Sequence, residues 1–83
     1  MTYYDFIALN EIDQANAVWR GVYLVNRFEK PFIYQLYSLG SFFVEVTYNP
    51  KINEVTHLEP FTTSKLLEPY INRISLGDLI LIV

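Results

Sequence analysis

Leu36-Tyr37-Ser38-Leu39-Gly40-Ser41-Phe42-Phe43-Val44-Glu45-Val46-Thr47-Tyr48 is the stretch on which the fold turns. Two runs of strand formers, Phe32 to Tyr37 and Phe42 to Tyr48, flank Ser38-Leu39-Gly40. Alternating β-branched and aromatic residues bounded by Ser and Gly mark a β-hairpin. A two-residue turn centred on Leu39-Gly40 would put Leu39 at positive φ, which a bulky side chain resists. A three-residue loop instead gives Gly40 the left-handed bulge position. That loop pairs Tyr37 with Ser41, Leu36 with Phe42, Tyr34 with Val44 and Phe32 with Val46. The predicted core face is Phe32, Tyr34, Leu36, Phe42, Val44, Val46 and Tyr48. The predicted outer face is Ile33, Gln35, Tyr37, Phe43, Glu45 and Thr47. A slip of one residue would mix the two sets.

Upstream of the hairpin the pattern is helical and then extended. Residues 3–8 read as a short helical turn that places Phe6 and Ile7 against the core. Asn10 is a good N-cap, with Glu11 and Asp13 in the first turn, where carboxylates suit the helix dipole. Ile12, Ala15 and Trp19 follow at helical spacing, and Gly21 supplies a stop. Trp19, the largest side chain, is the expected anchor between helix and sheet. Val22 to Phe28 reads as a further strand, with Val22/Leu24 and Tyr23/Val25 equally good as its inward pair.

Downstream, Asn49-Pro50-Lys51-Ile52-Asn53 is rich in turn formers. Residues 54–61 return as a strand in which Val55, Leu58 and Phe61 do not alternate, the mark of a bulge. Pro60 suits an edge strand. Thr62-Thr63-Ser64 can cap a closing helix bearing Leu66, Leu67, Tyr70, Ile71 and Ile74, in which Pro69 costs an internal hydrogen bond unless the helix starts near residue 66. The expected fold is α+β: an N-terminal helix, an antiparallel three- to four-stranded meander and a C-terminal helix. Nothing divides residues 1–83, so one domain is expected.

Composition limits the functions open to such a domain. The chain has 83 residues, with 52% apolar, 17% aromatic and 18% charged residues and a net charge of −3. Charged content sits below the usual ~25%, so the apolar excess points toward a partner. With no Cys there is no disulfide framework, thiolate zinc site or Cys nucleophile. The six basic residues are scattered in an acidic chain, which argues against a nucleic-acid binder. The longest apolar run, Leu79-Ile80-Leu81-Ile82-Val83, falls far short of the ~20 residues that span a bilayer. No signal-peptide pattern follows Met1, and a cytoplasmic location with no membrane partner is expected.

The Leu36 to Tyr48 hairpin resembles one found in short, uncharacterised bacterial α+β proteins. Leu66-Leu67-Glu68-Pro69-Tyr70 resembles a later segment of the same proteins, and Trp19-Arg20-Gly21 resembles the end of their preceding helix. The resemblance implies an α+β domain and no catalytic residues.

Few residues carry chemistry. His57 is the sole His, and strand alternation puts it on one face with Glu59, a pairing that orients an imidazole for a ligand. No phosphate loop, dinucleotide fingerprint or nucleophile elbow is present. No catalytic residue, metal or cofactor is expected. Ile33, Gln35, Tyr37, Phe43 and Glu45 form the expected interface on the outer sheet face. Leu79 and Leu81 join them, because five terminal apolar residues must pack, pair or engage another chain. The expectation is a non-enzymatic interaction module that self-associates as a dimer. Two alternatives stand beside it. One is a ligand-binding protein or minor enzyme built on a Tyr37, Glu45 and His57 cleft. The other is an acidic partner binder of the antitoxin or immunity type.

Overall fold

A computed structural model describes residues 1–62 of the chain. Two helices, α1 (Tyr3–Ile7) and α2 (Glu11–Trp19), precede four strands: β1 (Val22–Glu29), β2 (Phe32–Ser38), β3 (Phe43–Asn49) and β4 (Glu54–Phe61). The strands form one antiparallel meander in the order β1-β2-β3-β4. The expected N-terminal helix and meander are present. The expected closing helix, with Leu66, Leu67 and Pro69, lies outside the described residues, as do Leu79 and Leu81.

Capping chemistry sets the helix starts. Thr2 and Asp5 form a reciprocal capping box on α1. The Thr2 amide donates to the Asp5 carboxylate (2.9 Å), and Thr2 Oγ1 accepts from the Asp5 amide. These bonds, the Thr2 amide first, hold the Asp5 carboxyl below its ordinary value. Asn10 Oδ1 accepts from the Asp13 amide at 2.9 Å, as the sequence predicts. Gly21 follows the last turn of α2, its amide donating to the Val18 carbonyl.

The β2–β3 hairpin differs from the predicted register. Ser38 pairs with Phe43 and Tyr37 with Val44, so the loop is Leu39-Gly40-Ser41-Phe42. Gly40 does take positive φ (92°), and the Leu39 amide donates to the Phe42 carbonyl to close the loop. Phe42 leaves the ladder and is buried against Phe6 and Tyr3, at ring-centroid distances of 5.5 and 6.3 Å. Moving Phe42 from strand to core plug shifts the pairing by three residues relative to the expectation. An odd shift exchanges the faces of one strand relative to the other.

Two clusters result, one on each side of the sheet. On the helix side Phe6, Val18, Phe42, Val44 and Val46 are buried, with Tyr3, Ala17, Tyr37, Leu39 and Leu58 packed around them. On the other side Leu36, Phe43 and Phe61 are buried, with Leu24, Val25 and Tyr34 beside them. The single core face predicted from Phe32 through Tyr48 is therefore divided. Val44 and Val46 face the helices, whereas Leu36 and Tyr34 face away.

A bulge settles the open register of β1. Tyr23 pairs with Tyr37 and Val25 with Leu36, leaving Leu24 as the extra residue. Leu24 and Val25 then both pack with Leu36, while Tyr23 turns to the helix side. The bulge expected in β4 is also present, since Thr47 pairs with His57 but Tyr48 pairs with Val55.

The expected helix–sheet anchor holds in part, since Trp19 meets Tyr37 of β2 but is not the buried residue. Val18 is the buried residue of α2, while Trp19 is 49% exposed and Ile12 74%. Gln14, Ala17 and Val18 form the inward stripe, because Gln14 Nε2 donates to the Phe6 carbonyl (3.1 Å) and ties α2 to α1. Ile12 lies on the outer side, while Trp19 in the last turn reaches the ring of Tyr37 on β2 and stays half exposed. Ile7, expected inside with Phe6, is likewise exposed.

Candidate functional site

The helix-side cluster draws on β3 and β4 through Val44, Val46 and Leu58. From β2 it takes Tyr37 at its margin, and no described residue of β1 belongs to it. Pairing places Tyr23 beside Tyr37, Asn26 beside Gln35 and Phe28 beside Ile33 on this same side. The β1–β2 half of the helix-bearing face is thus aromatic and, among the described residues, largely open.

Three rings form its upper rim. Trp19 meets Tyr37 edge to face at 5.6 Å, and Tyr37 meets Tyr23 in the same manner at 5.6 Å. Such pairs contribute about 0.5–1.5 kcal/mol each beyond their buried area. Trp19 and Tyr23 stay about half exposed, and Phe28 is 66% exposed. Tyr23 Oη donates to Asn26 Oδ1 at 2.8 Å, which fixes the tyrosine ring without burying it. Burial pushes the Tyr37 phenol above its usual value, and neighbouring Tyr23 adds to the effect.

The predicted interface residues separate along the corrected register. Ile33, Gln35 and Tyr37 lie in the open half of the helix side and are half-buried. Phe43 lies on the other side, 7% exposed and stacked on Phe61 at 5.5 Å. Glu45 lies there too, where it accepts from Arg27 Nη2 at 3.2 Å. The Arg27 guanidinium also bonds Glu29 and sits 4.2 Å over the Tyr34 ring. Both partners of the Arg27–Glu45 pair are mostly buried, and this side is a packed surface with an ion pair crossing three strands.

His57 and Glu59 do come together, His57 Nε2 donating to Glu59 Oε2 at 2.9 Å. Both are well exposed at the sheet edge. The nearby Thr56 hydroxyl donates to the Thr47 carbonyl within the bulge. Tyr37, Glu45 and His57 do not converge on one cleft, since Tyr37 faces the helices and the other two face away. Among the described residues no group of three or more His, Cys, Asp or Glu is placed to hold a metal ion. Among them, too, no helix is long and apolar enough to cross a membrane.

Two features escape the sequence reading. Trp19, Tyr23, Asn26 and Phe28 complete the open aromatic face, and the adjacent apolar pair Leu24-Val25 was the signal for the bulge that puts them there. A cleft of about 450 Å³ between α2 and β4 has no sequence signature, because its walls are distant in the chain. Comparison with protein families, with curated proteins and with solved structures gives no match.

Proposed function

We propose that this chain is a protein–protein interaction module that self-associates through the open half of its helix-bearing sheet face. The observation that carries the reading is the exposed ring row of Trp19, Tyr37 and Tyr23, with Phe28 below it. Trp, Tyr and Phe are the residue types enriched in interface cores, and Asn26 and Gln35 supply hydrogen bonds between them. The patch borders β1, an outer strand of the sheet. A two-fold contact between identical patches needs one surface that complements itself, which flat rings flanked by amides provide. Of the residues expected at an interface, Ile33, Gln35 and Tyr37 belong to this patch. Phe43 and Glu45 serve the opposite side.

Sedimentation velocity across a concentration series tests the reading. The native chain is expected to dimerise in the high micromolar range, and Phe28→Glu to sediment as a monomer with its thermal midpoint unchanged. A monomer at every concentration, or a dimer indifferent to Phe28→Glu, contradicts it.

A further inference from the structure

We draw no further inference here: the strongest candidate, the cleft between α2 and β4, is walled by the outer strand of the sheet, and nothing among the described residues shows what covers it.

Discussion

Phe42 and Phe43 are neighbours in the chain and belong to different cores. Phe42 fills the space beside Phe6 on the helix side, and Phe43 stacks on Phe61 on the other. Phe42 closes the loop on the helix side and Phe43 opens β3 on the other, so this doublet of Phe meets an apolar surface on both sides. Tyr37 shows the same division by chemistry, with its ring held between Trp19 and Tyr23 and its phenol raised by burial. The sign of the pH effect follows. A phenol with a raised folded value contributes stability that is complete below about pH 10, the unfolded value. That contribution is lost as pH rises through the folded value. Alkaline titration followed by absorbance at 295 nm is expected to show a component ionising above the ordinary tyrosine value, and Tyr37→Phe to remove that late step. A titration curve of unchanged shape in Tyr37→Phe contradicts the placement of Tyr37.

At the scale of elements, the fold rests on how closely α2 ends against β2. A Cβ built on Gly21 would lie 2.8 Å from the Ser38 carbonyl oxygen, 2.9 Å from Leu39 Cδ1 and 3.1 Å from the Val18 carbonyl oxygen. Two of these are backbone atoms that cannot move aside without shifting the helix or the strand. Gly21→Ala is therefore expected to cost about 1–3 kcal/mol in urea unfolding, the range for overpacking a close contact. A loss below about 0.5 kcal/mol, the range of ordinary surface changes, would show that the two elements do not approach this closely. The sequence marks Gly21 as a helix stop, and that is correct, but a stop signal carries no information on what the glycine abuts. The same limit explains the register. The Asn10 cap, the meander, the β4 bulge, the turn glycine and the His57–Glu59 pair were all legible, because each depends on residues within a few positions of one another. The three-residue shift in the hairpin was not. It depends on Phe42 finding a hole lined by Phe6 and Tyr3, a contact between distant parts of the chain that local turn chemistry does not encode. The Arg27–Glu45 pair was hidden for the same reason, since its partners are 18 residues apart and meet across β2.

For the whole molecule, the consequence is that the apolar excess is distributed over two sides of one sheet. Leu36, Phe43 and Phe61 account for part of it as a second core rather than as an exposed patch. The part left open sits with Trp19, Tyr23 and Phe28 on the helix side, and this is where the self-association reading places the partner. The same division separates two routes to losing function. Substituting Phe43 removes core packing, whereas substituting Phe28 alters a surface. Trp19 is the sole tryptophan of the chain and stands on the rim of the open face, so its emission reports directly on whether that face becomes covered. The most direct measurement is the Trp19 emission maximum of the native chain and of Phe28→Glu over a dilution series from high micromolar to nanomolar concentration. The account predicts a shift to longer wavelength on dilution of the native chain and a constant, already long-wavelength maximum for Phe28→Glu. An emission maximum independent of concentration in the native chain would contradict it.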